Sequence, residues 1–326
     1  MKHLISQLAH RHILVIGDVI LDEYIIGKAT RISREAPVPV LEFESRRLIP
    51  GGAANPAANI TALGSYATQV SVVGADDFAD QLRNILKTRG IMTDGIITDA
   101  TRPTTVKTRI MAQMGLRFPQ QVARLDRLSR LGIDESISKQ VITFVQNQLK
   151  QVDALLFSDY RSGLLTPHVV ESIRAACQHH LLAVDAQGDL DKYAGFSVMK
   201  CNAQEAQTYL RRDLQTDEDF ASAAKELQQR LKLTQGMMIT RGSQGATFAP
   251  ADDEAFHCPA PLVSDVYDTV GAGDTSIAVL TLALVAGAKI KDAVMLANFA
   301  SGLVVRRVGN YTPSPEELCR AVDMWG

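Results

Sequence analysis

At 326 residues, 46% of them apolar and 21% charged, the chain is long enough to bury a large core and has the composition of an ordinary globular protein. Its formal charge of −2 supplies no field that would gather nucleic acid or an anionic membrane, although local basic groups can still bind a small anion. The four cysteines (Cys177, Cys201, Cys258, Cys319) are scattered without metal-binding spacing, so reduced thiols and a cytoplasmic setting are expected.

The first residues contain no apolar core of signal-peptide length. "HILVIGD" (12–18) is a short apolar run that reads as a buried strand with an acid, Asp18, at its carboxyl end. The stretch 23–47 breaks the pattern with extended segments around a proline-bearing turn. "PGGAANPAANITALG" (50–64) then puts Gly51, Gly52 and Asn55 at the entrance to a helix. Small residues there let a ligand approach the backbone, and Asn55 can donate and accept toward hydroxyls; a tightly packed Gly/Ala helix start is the plain alternative. A second interruption, 104–126, alternates polar and apolar residues, with a turn expected at Met114-Gly115. Together the two interruptions, about 22–48 and 103–127, read as antiparallel strands of a small sheet inserted in one α/β domain spanning 1–326.

Buried strands recur at "ALLFSDY", "LLAVDA", "SVMKCN" and "GMMITRG", with helical patterns such as "DFASAAKELQQRLK" between them. This alternation predicts a doubly wound, mostly parallel sheet flanked by helices, with ligands beyond the carboxyl ends of its strands. Asp18, Asp159, Asp185 and Asn202 fall at those ends. "NAQE" sets Asn202 and Glu205 on one helical face, where an amide oxygen and a carboxylate suit water-mediated Mg²⁺; a solvated pair at a helix start is the alternative. In "DVYDTVGAGDTSIAVLTLALVAG" the glycines precede an apolar run, Ser276 to Ala288, that is too short to span a bilayer and reads as a buried helix. The amides of Gly271, Ala272 and Gly273 would then sit at a helix N-terminus, which favours an anion such as a migrating phosphoryl group. Asp274 beside them could accept a proton from an attacking hydroxyl, or could simply cap the helix.

"GDVILDEY", "GGAAN", "NAQE" and "DTVGAGDT", in that order, resemble the ribokinase-like (PfkB) family of sugar kinases over essentially the whole chain. "TRISREAPVPVLE", "RFPQQVARLD", "FSDYRSGLL" and "TRGSQGAT" are similar to the kinase domain of D-glycero-β-D-manno-heptose 7-phosphate kinases. The resemblance implies an α/β domain with a β-sheet lid that often pairs two subunits. It also implies ATP and Mg²⁺, an optional monovalent cation, and a sugar or sugar-phosphate acceptor. By position, Asp274 resembles the catalytic base and Gly271, Ala272 and Gly273 the anion hole. Asn202 and Glu205 resemble the motif that organises Mg²⁺ and the nucleotide phosphates. Asp18, Gly51, Gly52 and Asn55 match sugar contacts; Thr240, Arg241 and Gly242 match the turn beside the nucleotide; and Asn298 belongs to a helix lining the adenine pocket. An acceptor phosphate would require cations, for which Lys107, Arg109 and Arg124 (with Asp126), and also Arg31, are candidates; a solvated strand face is the alternative.

The chain departs from the heptose-kinase pattern at Asp185-Ala186-Gln187-Gly188, where Asp-Pro-Lys-Gly is usual, so the expected lysine is missing. Lys200, two residues before Asn202, is expected to take over its charge. No His-x-Gly-His nucleotidyltransferase motif occurs, so the kinase step alone is expected. Two other classes compete. A sugar or nucleotide sensor would more naturally lack Asp274 or the glycines, and a dinucleotide oxidoreductase would carry Gly-x-Gly-x-x-Gly after the first strand, where "VIGDVILD" has one glycine.

Overall fold

Strands that are apolar on both faces need cover on both sides, and such runs build the centre of the protein. In a computed structural model, which describes all residues except 115–118, 178, 264 and 267, the chain opens with helix α1 (Lys2–Gln7) and strand β1 (His12–Gly17). It continues through β2 (Val19–Ile32), β3 (Pro39–Gly52), α2 (Ala54–Ala62), β4 (Tyr66–Val73), α3 (Asp77–Thr88) and β5 (Met92–Thr98). Next come β6 (Val106–Gln113), β7 (Gln120–Arg127), α4 (Glu135–Gln148), β8 (Ala154–Asp159), α5 (Pro167–Ala176) and β9 (Leu181–Ala186). After β10 (Val198–Asn202), α6 (Ala203–Leu210) and α7 (Asp217–Arg230) follow β11 (Gly236–Thr240), β12 (Ala246–Pro250) and β13 (Phe256–Cys258). The last helices are α8 (Ala272–Val285), α9 (Ile290–Val304) and α10 (Pro315–Trp325).

The main sheet has the order β13-β12-β11-β10-β9-β8-β1-β4-β5. From β11 to β5 it is parallel, as the βα alternation predicts. β12 and the edge strand β13, which the sequence reading does not foresee, run antiparallel. Alternate residues of β1 serve two cores. Ile13 and Val15 pack with α1, α2, α8 and α9, while Leu14 and Ile16 pack with α4, α5 and α7. Helix α8 is buried from Asp274 to Ala283, which explains why its sequence from Ile277 is apolar but for Thr281. No described helix is long and apolar enough to cross a membrane.

The second sheet has the order β3-β2-β6-β7. Its hairpins β2–β3 and β6–β7 are antiparallel as expected, but β2 and β6 are parallel, which corrects the wholly antiparallel reading. The reason is topological. Between the hairpins the chain passes through α2, β4, α3 and β5, a crossover long enough to bring β6 back in the direction of β2. The turn expected at Met114-Gly115 runs into residues 115–118, outside the described residues.

Candidate active site

Six helices begin with a side-chain cap: Asp76, Asp134, Thr166, Asn202, Thr216 and Ser314 each accept a hydrogen bond from a first-turn amide. Among the described residues helix α8 has no such cap. Its N-cap is Gly271, held at φ +81°, a left-handed conformation that suits glycine. The amides of Gly273 and Asp274 find no hydrogen-bond partner among the described residues, and Gly271 to Asp274 line a cleft of about 670 Å³. Orphan amides at a helix start attract anions.

Asp274 is therefore not the cap that the plain reading expects. It is the third residue of the helix, and donors hold both of its oxygens. Asn55 Nδ2 donates to Oδ2 at 2.9 Å, and the Tyr160 hydroxyl donates to Oδ1 at 2.7 Å. Burial, then the charge of Asp185, pushes the Asp274 pKa up to about 6, against the opposing pull of Asn55, Tyr160 and Lys200. A carboxylate tuned toward neutrality suits a general base.

Along the cleft from Asp274, Lys200 Nζ donates to Asp185 Oδ2 at 2.6 Å. It lies so near Gly273 that a methyl group there would come within 2.8 Å of the ammonium. Burial works against its charge, yet Asp185 keeps Lys200 above the usual lysine range. Asn202 and Glu205 form a capping box, the Glu205 amide donating to Asn202 Oδ1 at 2.9 Å and the Asn202 amide to Glu205 Oε2 at 2.7 Å. Both also line the cleft, with Thr240, Gly242 and Asn298. The Asn298 amide donates to the Pro259 carbonyl at 2.6 Å and so holds one wall. Arg241 is the exception. Its guanidinium turns away to Asp217 at 2.6 Å and stacks 4.2 Å over Phe220, so its side chain holds the β11 turn and does not meet the cleft.

Among the described residues no cluster of three or more His, Cys, Asp or Glu side chains is placed to hold a metal ion. Glu205, whose pKa burial raises, and the Asn202 oxygen at the cleft wall fit a hydrated Mg²⁺ shared with phosphates better than a caged one.

The acceptor candidates lie on one face of the four-stranded sheet. Cross-strand register aligns Asp22 with Lys107 and Asp126, and Tyr24 with Arg109 and Arg124. Arg109 donates to Asp22 at 2.5 Å, and Arg124 makes a two-pronged contact with Asp126 at 2.9 and 2.7 Å. Lys107 makes no ion pair among the described residues and lies 5.8 Å over the Tyr160 ring. Gly51 admits Asp22, since a Cβ there would stand 2.2 Å from its carboxylate. Asn310 is close to both Gly51 and Gly271 and so joins this face to the start of α8.

Two expected contacts lie elsewhere. Asp18 is buried behind the cleft, where its carboxylate accepts from the amides of Tyr160, Ser162 and Leu164 at 3.0, 3.0 and 3.4 Å, and Gly52 packs against its carbonyl. Arg31 is exposed nine residues along β2 from Asp22, about 30 Å at strand spacing. Conversely, Asp22, Tyr160 and Asn310 join the site without having been singled out. Tyr160 carries a usable signal, since it directly follows the carboxyl end of β8. Asp22, in mid-strand, carries none.

A family model described as pfkB family carbohydrate kinase matches residues 10–317. Curated relatives named "Bifunctional protein HldE" include one from Geotalea uraniireducens, 37% identical over 308 residues, covering 94% of this chain and 61% of the relative. Another, from Helicobacter pylori strain J99, is 37% identical over 311 residues, covering 94% of this chain and 65% of the relative. The chain thus spans less than two thirds of the length of these relatives. Among solved structures, Escherichia coli phosphofructokinase-2 in complex with substrates and products superposes with TM-score 0.76 at 19% identity, covering 97% of this chain and 99% of the other. Arabidopsis thaliana ribokinase complexed with ribose and ATP gives 0.73 at 16% identity, covering 96% and 99%. At these identities the likeness is one of fold, which is ribokinase-like.

Proposed function

The chain belongs to the pfkB family of carbohydrate kinases, and from that premise we propose that it transfers the γ-phosphoryl group of ATP to the anomeric hydroxyl of D-glycero-β-D-manno-heptose 7-phosphate, giving the 1,7-bisphosphate. One arrangement carries the reading. A buried carboxylate, Asp274, stands at the uncapped mouth of α8, and the sheet face bearing Lys107, Arg109 and Arg124 connects to that mouth through Tyr160 and Asn310. ATP enters the cleft between β10, β11 and α9, its transferring phosphate meeting the free amides of Gly273 and Asp274 at the start of α8 and the Lys200 ammonium. Asp274 takes the proton from the acceptor hydroxyl as that oxygen attacks phosphorus, and ADP leaves. Mg²⁺ arriving with the nucleotide would offset phosphate charge, with Glu205 and Asn202 holding its waters; a monovalent cation is the other cofactor that family membership suggests. The four-stranded sheet acts as a lid, with Lys107 meeting the acceptor phosphate.

The likeness of its segments to heptose 7-phosphate kinases supports the named acceptor. Another sugar phosphate is the second reading, favoured by Arg109 and Arg124 being already paired with acids and by Gln187 where a lysine is usual. ADP release on addition of heptose 7-phosphate, fructose 6-phosphate or ribose, with ³¹P NMR of the product, separates the two. Absence of turnover with every sugar refutes catalysis and favours a sensor. The lid also exposes Ile32, Val38, Phe43, Val122 and Leu125, large apolar side chains of the kind that pair subunits. A homodimer through the lid follows, and Leu125→Asp is expected to convert it to a monomer in sedimentation velocity.

A further inference from the structure

The loop after β8 is over-determined. Arg161 and Gly163 both have left-handed backbone, φ +58° and +93°. At Arg161 this costs about 1–2 kcal/mol, which the surroundings must offset. Two buried carboxylates hold the loop there: Asp18 takes three of its amides, and Asp159 takes the Arg161 amide at 2.8 Å. Asp159 is itself fixed by Lys192 at 2.7 Å and by the Tyr193 hydroxyl at 2.6 Å. Of the loop's side chains, the one delivered to the cleft is Tyr160, whose hydroxyl ends 2.7 Å from Asp274 Oδ1.

We propose that Tyr160 is a positioning residue for the Asp274 base, clamping its carboxylate together with Asn55, and that Asp18 serves this clamp by holding the Tyr160 backbone. The inference rests on the kinase reading above and adds to it. An aspartate side chain turns about two bonds, and a donor on each oxygen stops both rotations. One lone-pair direction on each oxygen is then left to accept from the acceptor hydroxyl. A hydrogen bond to the ionised form also favours that form. The charged groups facing Asp274 are Asp185 on β9, which raises its pKa, and Lys200 on β10, which lowers it. Tyr160 in turn faces Lys107 from the lid and feels the charge of Asp22. All of these remain when only the phenolic oxygen is removed.

The test is Tyr160→Phe, which keeps the ring and its packing. Loss of a donor to a carboxylate is expected to move the acid limb of kcat/KM upward by about one pH unit. Turnover at pH 6 then falls several-fold more than at pH 8, and KM for ATP stays constant. Independently of turnover, a ¹³C NMR titration of the Asp274 carboxyl carbon, assigned by its loss in Asp274→Asn, should show the same rise. Asp18→Asn should shift both readouts in the same direction, and stands in if Tyr160→Phe does not fold. An unmoved Asp274 titration overturns the clamp even where sugars are phosphorylated. A moved titration with no sugar turned over upholds the clamp and refutes only the kinase reading.

Discussion

Gly271 and Gly273 sit two residues apart, yet alanine should damage the protein differently at each. At Gly271, a side chain must adopt φ +81°, which costs an L-residue about 1–2 kcal/mol. Its Cβ would also stand 2.5 Å from Asn55 Nδ2 and 3.1 Å from Asn310 Oδ1. Asn55 is fully buried and cannot swing aside, so its hydrogen bond to Asp274 breaks, at about 1.5–3 kcal/mol for a charged acceptor. The total is about 3–5 kcal/mol. For 326 residues the unfolding entropy is about 0.7 kcal/mol per degree, so Tm should fall by about 4–7 °C. At Gly273 the backbone is helical, and alanine there gains about 0.5–1 kcal/mol of helix stability. Its Cβ comes close to the flexible far end of Lys200, at 2.8 Å, and otherwise touches Asp185 Oδ2 at an ordinary 4.0 Å. Tm should therefore change by less than about 2 °C. Activity should suffer regardless, because the methyl group displaces the ammonium and crowds the orphan amides; loss of such donors costs about 100-fold or more. Scanning calorimetry and an ADP-release assay on the two variants make the comparison. Gly273→Ala keeping kcat/KM within about threefold of wild type, or Gly271→Ala leaving Tm unchanged, would refute these roles of the two glycines.

Other expectations follow from the same site. Asp274→Asn should lower kcat about 10³-fold. Because burial raises the Asp274 pKa from 3.8 to about 6, its contribution to stability is present below 3.8 and lost as pH rises through 6. The variant should gain Tm relative to wild type at pH 8, with the gain shrinking toward pH 4, as pH-dependent calorimetry will show. Lys200→Met should abolish most turnover and also strand Asp185, which is only 13% exposed, costing about 3 kcal/mol. Adding Asp185→Asn should recover stability without recovering activity, and unchanged turnover in Lys200→Met would exclude its role at the phosphates. Lys107→Met should raise the acceptor KM about tenfold for a phosphorylated sugar only, with KM for ATP constant; an equal effect on an unphosphorylated sugar would remove the phosphate contact.

The strands that were readable from sequence are those buried on both sides. "ALLFSDY" and "LLAVDA" are apolar because each faces two cores, so local composition reports their burial directly. β13 is a three-residue edge strand, partly exposed and without that signature; β12 is fully buried, but its "ATFAP" is a short mix of mostly small residues and a proline with no long branched apolar run to mark it. The parallel pairing of β2 with β6 depends on a crossover of more than seventy residues, which no local window contains. Arg241 illustrates the same limit within the site. Its place at the end of β11 was legible, but the direction of its side chain is set by Asp217 and Phe220 on another helix.

What the chain carries in its own order of residues is the chemistry of one helix mouth: two glycines, an acid, and an apolar run that must be buried. Folding decided what that acid does. Asn55 comes from 219 positions away and Tyr160 from 114, and only their convergence puts a donor on each oxygen of the Asp274 carboxylate. Backbone preference is local and can be read along the chain. The pKa and aim of a side chain depend on neighbours that only the tertiary structure brings together.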